Sequence, residues 1–185
     1  MPFTFTPCPI KGLLEIQPVI HSDKRGYFFE SYSDRDFAAA DLKLSFVQDN
    51  QSCSSKGVLR GLHFQKKFSQ VKLIRVIEGE VFDVAVDMRQ GSTTKGKWHG
   101  LTLSGAKNNQ LYIPAGFAHG FLVISEMAVL TYKCTDFYYP EDEGGIIWND
   151  PNIGIKWPDI GMEYILSDKD KKWPAWESLD LANRQ

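Results

Sequence analysis

Cysteine is scarce in this 185-residue chain: Cys8, Cys53 and Cys134 are odd in number, far apart, and form no C-x-x-C pair. That pattern speaks against a disulfide framework or a zinc ribbon, and free thiols in a reducing cytoplasm are the expected state. A long apolar run is also missing. The start, Met1-Pro2-Phe3-Thr4-Phe5-Thr6-Pro7, breaks with prolines and hydroxyls where a secretory signal needs an apolar stretch of about 7 to 15 residues. No later segment approaches the ~20 residues of a membrane span. Nor is there an excess of one charge: the formal net charge is -2, with Lys and Arg scattered, which argues against nucleic acid or an anionic membrane as partner. Local basic residues remain available for a phosphate. Internal repeats, low-complexity stretches and linkers are absent, so one domain over residues 1–185 is expected, long enough to bury a core.

Strand signals fill what remains. Short runs rich in Val, Ile, Phe and Tyr, punctuated by Gly, Pro, Asn and Asp, recur from Leu14 to Trp157, the pattern of an all-β sandwich or barrel. Val71 to Ile77 and Glu80 to Met88 flank Glu78-Gly79 and predict a hairpin. Both runs are apolar on both faces, which calls for a second cover, either another sheet or another subunit. A homodimer is the simpler of the two. Helix is rare: Ser33 predicts a cap for a short helix over 34–40, with aspartates in its first turn, and a second helix is expected after Trp173-Pro174. The aromatic-laced segment from Tyr138 to Trp157 reads as ordered loop.

Two segments carry a histidine beside glycines in an apolar run: Gly57-Val58-Leu59-Arg60-Gly61-Leu62-His63-Phe64-Gln65 and Pro114-Ala115-Gly116-Phe117-Ala118-His119-Gly120-Phe121. A polar ring in such a setting needs a hydrogen-bond partner or a function. The spacing P-x-G-x-x-H resembles the second signature of the cupin barrel. Metal-holding cupins carry H-x-H and then a carboxylate in the first signature. Here that place reads His63-Phe64-Gln65, with no acid before Glu78, so no metal is expected: two histidines fall short of the three protein ligands of a catalytic zinc.

Nearly the whole chain, in order, resembles the dTDP-4-dehydrorhamnose 3,5-epimerase family. The resemblance runs through Arg25-Gly26-Tyr27-Phe28-Phe29-Glu30, Phe46-Val47-Gln48-Asp49-Asn50, the Gly57 to Gln65 segment, Phe82 to Arg89, Ile113 to Phe121, Tyr132-Lys133-Cys134-Thr135, Ile147 to Pro151 and Leu166 to Asp170. It implies a cupin-type jelly-roll barrel with a few short helices at the periphery and C-terminus, acting as a cytoplasmic homodimer without cofactor. The implied reaction inverts carbons 3 and 5 of dTDP-4-keto-6-deoxy-D-glucose.

That chemistry sets requirements. An imidazole of pKa about 6.5 is a poor match for a carbon acid, and each unit of mismatch costs about 1.4 kcal/mol. General acid-base catalysis supplies about 10²–10⁴-fold, so the developing enolate oxygen needs a nearby positive charge as well. By the resemblance, His63 is the base, Asp170 its orienting carboxylate, Lys72 the cation at the enolate oxygen, and Tyr132 the acid on the opposite sugar face. The same resemblance implies that Arg25, Glu30, Gln48, Asp49, Asn50, Arg60, His119, Tyr138, Glu143 and Lys169 contact the substrate. Tyr138 would stack on thymine, and Arg25, Arg60 and Lys169 suit the diphosphate.

Ordinary readings compete for several of these residues. Lys72 alone reads as a solvated edge charge, Asp170 as an exposed polar loop residue, Tyr132 as a core aromatic, and Arg25 with Glu30 as an ion pair. Asp83 and Asp87 read as structural hydrogen-bonders beside Arg75 and Arg89, and Trp148 and Trp157 as filling. Strict alternation turns Arg60 away from His63 unless a bulge at Gly61 intervenes; the other option is that Arg60 serves a partner's site. Rival functions are an epimerase acting at one carbon only, a metal-dependent cupin using His63 and His119, and a non-catalytic sugar-nucleotide binder.

Overall fold

The computed structural model describes residues 2–182. Thirteen strands are present among them: β1 (Phe3–Pro7), β2 (Leu14–Pro18), β3 (His21–Asp23), β4 (Gly26–Phe28), β5 (Gln48–Ser55), β6 (Leu59–Gln65), β7 (Lys72–Glu78), β8 (Glu80–Asp87), β9 (Trp98–Ser104), β10 (Gln110–Ile113), β11 (Phe117–Val123), β12 (Met127–Cys134) and β13 (Glu143–Gly145). One sheet has the order β1-β2-β10-β7-β12-β5, a second the order β13-β6-β11-β8-β9, and β3 and β4 form a separate ribbon. The two larger sheets face each other as a cupin-type jelly roll, the all-β architecture that the strand spacing predicts.

The core lies between the sheets. Ile74, Val76, Val81, Ala85, Leu111, Ile113, Phe117, Phe121, Val123, Ala128 and Leu130 pack into one cluster; each such side chain taken fully from water contributes about 1.5–3 kcal/mol. Because side chains alternate along a strand, Lys72 on β7, Asp83 on β8, His119 on β11 and Tyr132 on β12 share the inward face with these apolar neighbours. Polar groups thus enter the barrel on the same strands that build its core.

The hairpin expected around Glu78-Gly79 does not form. β7 pairs with β10 and β12, whereas β8 pairs with β11 and β9, so Gly79 carries the chain from one sheet to the other. Its φ is +79°, and a Cβ there would lie 2.0 Å from the Met127 carbonyl oxygen. Only glycine fits that corner. The second apolar face also has a different cover from a separate subunit. On the outer side of one sheet, Leu62, Val84, Val86, Ala118 and Ile146 pack against Trp157, Trp176 and Leu179 of the same chain. On the other, Leu73 and Tyr112 pack against Phe3, Ile16 and Phe37.

The short helices fall where expected. Helix α1 (Asp34–Ala39) begins at Ser33, whose hydroxyl accepts from the Asp36 N–H, with Asp34 and Asp36 in the first turn. Fully buried Phe37 pins it to the sheet through edge contacts with Phe3 and Phe5. Helix α2 (Trp176–Ala182) follows Pro174. The segment after Tyr138 is more regular than a loop: Pro140–Asp142 form a 3-10 turn, and β13 adds to the sheet edge with Gly145 opposite His63.

Candidate active site

β6 and β11 bring the two signature histidines together as cross-strand partners, His63 opposite His119. The register then shifts: Arg60 faces Phe121, so three steps on β6 match two on β11. Gly61, at φ +128°, makes room for this, since a Cβ there would lie 2.5 Å from Gly120 Cα. The extra residue returns Arg60 to the inward side with His63. Its guanidinium donates to Ser54 Oγ at 3.2 and 3.0 Å. The bulge reading of Arg60 is therefore the one the backbone adopts.

His63 Nε2 lies 2.5 Å from Asp170 Oδ1. The pairing is built from a distance of 107 residues. Asp170 starts a 3-10 turn at Asp170–Lys172, and it is 3 % exposed despite the polar stretch around it. Trp173 Nε1 donates to the same carboxylate at 3.3 Å, and the Ser167 hydroxyl oxygen accepts from the Asp170 N–H at 3.1 Å. Burial raises the Asp170 pKa, but the His63, Ser167 and Trp173 contacts outweigh it and hold the carboxyl below its ordinary range. A carboxylate on Nε2 fixes that nitrogen as the N–H and leaves Nδ1 with the lone pair.

A cavity of about 280 Å³ opens beside His63, lined by Gln48, Asn50, Phe64, Gln65, Gln70, Lys72, Tyr132, Tyr138, Glu143 and Lys169. His63 enters from one sheet; Tyr132 and Lys72 enter from the other. Lys72 lies on a central strand rather than an edge, with its ammonium 5.8 Å from the Tyr132 ring centroid. Burial pulls the Lys72 pKa below the ordinary lysine value, against the opposing attraction of Cys134, Asp83 and Glu143. Burial pushes the Tyr132 hydroxyl above 10. The aromatic that sequence alone assigns to the core is half-buried and turned to the cavity.

At the mouth, Glu143 accepts from Lys169 Nζ at 2.9 Å and from the Tyr138 hydroxyl at 2.9 Å. Burial raises the Glu143 pKa, yet these two donors and the nearby His63 bring it below the ordinary value. A second cavity of about 530 Å³ adjoins the first through His63 and Lys169 and is lined by Arg60, Ser167 and Asp170. Lys169 thus borders both cavities and Arg60 the second.

Four of the expected contact residues stand elsewhere. Asp49 points to the outer face of β5, where alternation separates it from Gln48 and Asn50, and pairs with Lys133 at 2.8 Å. Arg25 and Glu30 are exposed on and just beyond the β3–β4 ribbon; Arg25 pairs with Asp23 at 2.6 Å, not with Glu30. His119 is 7 % exposed, behind His63, with Nε2 at 2.9 and 3.0 Å from the Asp83 carboxylate. Asp83 thus serves His119 rather than Arg75, while Asp87 does bind Arg89, at 2.9 and 2.8 Å. Sequence reasoning missed Trp173, Ser167 and Gln70; no spacing or motif marks them.

The histidines do not form a metal-ligand set. Each has one ring nitrogen on a carboxylate, Gln65 stands where metal-holding cupins carry another imidazole, and no group of three His, Cys, Asp or Glu suited to a metal occurs among the described residues. No described helix is long and apolar enough to cross a membrane.

Known proteins match this chain closely in sequence and in fold. The protein-family model described as dTDP-4-dehydrorhamnose 3,5-epimerase matches residues 7–178. The dTDP-4-dehydrorhamnose 3,5-epimerase of Salmonella typhimurium is 52 % identical over 174 residues, covering 93 % of this chain and 94 % of that one. The Pseudomonas aeruginosa enzyme of the same name is 51 % identical over 172 residues, 92 % and 94 % of the two chains. The crystal structure of the Legionella pneumophila dTDP-6-deoxy-D-glucose-3,5-epimerase in complex with dTDP-4-keto-L-rhamnose superposes with a TM-score of 0.94 at 46 % identity, covering 97 % and 96 %. With a family model spanning most of its length and relatives at half identity over nearly all of it, this chain belongs to the dTDP-4-dehydrorhamnose 3,5-epimerase family.

Proposed function

We propose that this protein inverts carbons 3 and 5 of dTDP-4-keto-6-deoxy-D-glucose, giving dTDP-4-keto-L-rhamnose on the route to dTDP-L-rhamnose. The observation that carries this reading is the 2.5 Å His63–Asp170 pair opening on a cavity that also holds Lys72 and Tyr132. His63 Nδ1 takes the proton from the carbon beside the ketone. Asp170 stabilises the imidazolium that forms, in the manner of a His-Asp pair in acyl transfer. The Lys72 ammonium bears the enolate charge, which is where most of the barrier reduction has to come from. Tyr132 returns a proton from the opposite sheet, so a sugar ring held between the sheets meets a base on one face and an acid on the other. The ketone at carbon 4 acidifies both neighbours, and the same pair serves both inversions.

Arg60 and Lys169 hold the diphosphate, Tyr138 stacks on thymine, and Gln48, Asn50 and Glu143 complete the pocket. Two copies work as a homodimer. Tyr27 and Phe28, 61 % and 69 % exposed on the ribbon, are the apolar surface that a second copy would cover, and the same contact would carry Arg25 and Glu30 toward the neighbouring cavity. The free thiols of Cys8, Cys53 and Cys134 support work in the reducing cytoplasm.

Incubation with the keto sugar nucleotide in heavy water tests the reading: deuterium should enter carbons 3 and 5, and His63→Ala should abolish both exchanges. Exchange at one carbon alone would assign the monofunctional reaction, and wild-type exchange in His63→Ala would remove the base from its role.

A further inference from the structure

Gln65 occupies the position at which metal-holding cupins carry their second histidine, and its amide is fully engaged within the protein. Nε2 donates to the Phe68 carbonyl at 3.1 Å and to the Phe137 carbonyl at 2.9 Å, while Oε1 accepts from the Tyr139 N–H at 2.8 Å. A primary amide has two N–H donors, so none is left for a ligand although Gln65 lines the cavity. Two of the three residues it grips, Phe137 and Tyr139, flank Tyr138 on both sides.

Two further glutamines grip the same turn. Gln70 Nε2 donates to the Asp136 and Phe137 carbonyls at 2.9 and 3.1 Å, and Gln48 Oε1 accepts from the Tyr138 N–H at 3.0 Å. Asp142 accepts from the N–H groups of Lys67 and Phe68 on the opposing turn, and the Phe68 and Tyr139 rings lie 4.5 Å apart. Of the three glutamines only Gln65 is buried, at 7 % exposure, and only Gln65 binds the segment on both sides of Tyr138. Tyr138 itself stays 47 % exposed at the cavity mouth, tied at its tip by the hydroxyl bond to Glu143, so the backbone on either side of it has to set where the ring stands.

We infer that Gln65 is a positioning residue for nucleotide recognition: it clamps the 137–139 turn so that the Tyr138 ring is set to receive the base before the ligand arrives. The inference rests on the reading above that Tyr138 stacks on thymine. It also gives the amide a reason to stand at this place, since an imidazole with a single N–H would hold only one of the two carbonyls.

A double-mutant cycle on dTDP binding, read by titration calorimetry, tests this. Loss of a base-stacking aromatic is expected to weaken dTDP binding about tenfold in Tyr138→Ala. Gln65→Leu is expected to weaken it about five- to tenfold, and the double variant to be no more than twofold worse than the weaker single one. In turnover, Gln65→Leu should raise KM for the sugar nucleotide with kcat within twofold of the parent, the pattern of lost binding rather than lost transition-state contact. Wild-type dTDP affinity in Gln65→Leu, or losses that multiply to about a hundredfold in the double variant, would overturn the inference. Unchanged dTDP binding in Tyr138→Ala would instead remove the stacking reading, and the inference with it. If Gln65→Leu shows no cooperative melt, Gln65→Glu takes its place in the cycle: it is of equal size, keeps the acceptor for Tyr139 and loses both donations.

Discussion

Asp170→Asn is the sharpest perturbation of the proposed chemistry, because it changes charge at the dyad with almost no change in shape. The amide has two ways to sit. If it donates an N–H to His63 Nε2, the ring proton is forced onto Nδ1 and the lone pair that the proposed abstraction uses is lost. If it offers its carbonyl oxygen, the tautomer survives, but the imidazolium formed on proton uptake loses its anion at 2.5 Å. A hydrogen bond to a charged group contributes about 1.5–3 kcal/mol, and His63, with 28 % of its side chain exposed, lies toward the screened end of that range. At about 1.4 kcal/mol per decade, the second arrangement alone slows proton abstraction by about 10- to 100-fold, and the first exceeds it. Because the ion pair forms only as the proton arrives, kcat should fall and KM hold nearly constant. Deuterium uptake from heavy water at carbons 3 and 5, followed by proton NMR, reads the step directly, and both positions should slow by the same factor. Wild-type exchange at both carbons would remove Asp170 from the mechanism, and slowing at one carbon alone would refute the single-base reading.

Three other outcomes follow from the same geometry. Burial lowers the Lys72 pKa while it raises that of Tyr132, so turnover should decline with rising pH before the ordinary lysine value is reached, as the ammonium is lost; Lys72→Arg, permanently charged, should retain activity at the alkaline end even if it is slower overall, and an unmoved alkaline limb would point to another group. Tyr132→Phe should leave solvent exchange running while completed inversion, read as product by chromatography, drops by about 10²-fold or more; equal loss of both would make Tyr132 part of the abstraction step. Fully buried Asp87 is bound by Arg89, Ser92 and Thr94; burial opposes its charge, but these donors hold its carboxyl well below 3.8. Its stabilisation is present above that value and fades as pH falls through the lower folded-state pKa, so Asp87→Asn should lose about 2–3 kcal/mol in neutral urea melts and progressively less in acid. An equal loss at both pH values would contradict that account.

How far the sequence discloses this molecule depends on how local the cause is. Ser33 announces α1 because a cap is a contact between neighbours. The strand-rich pattern yields the all-β class for the same reason. The corner at Gly79 is hidden: two apolar runs around a glycine fit a hairpin and a change of sheet equally, and the deciding contact is with Met127, far along the chain. Asp49 was legible in principle, because alternation alone separates it from Gln48 and Asn50. Arg60 was legible only as a choice between a bulge at Gly61 and service to a partner's site, since the close approach that decides for the bulge is to Gly120 of a different strand. Asp170 sits in a run of charges that hydrates in most proteins, and its burial is set by Trp173 and the 3-10 turn. Gln65 was noticed only for the ligand it fails to be, and the 137–139 turn it grips cannot be seen from a pattern of residue types.

His63 on β6 and Tyr132 on β12 are anchored on different sheets. Between those sheets lies the aliphatic filling of Leu130, Val81 and Ala85, with Tyr132 packed against it, and in a close-packed interior such filling acts as a gauge block between two jaws. A thinner or thicker filler there would change the gap between the two jaws without touching a single polar atom, so under the proposed reaction catalytic tempo would be partly a matter of hydrocarbon volume.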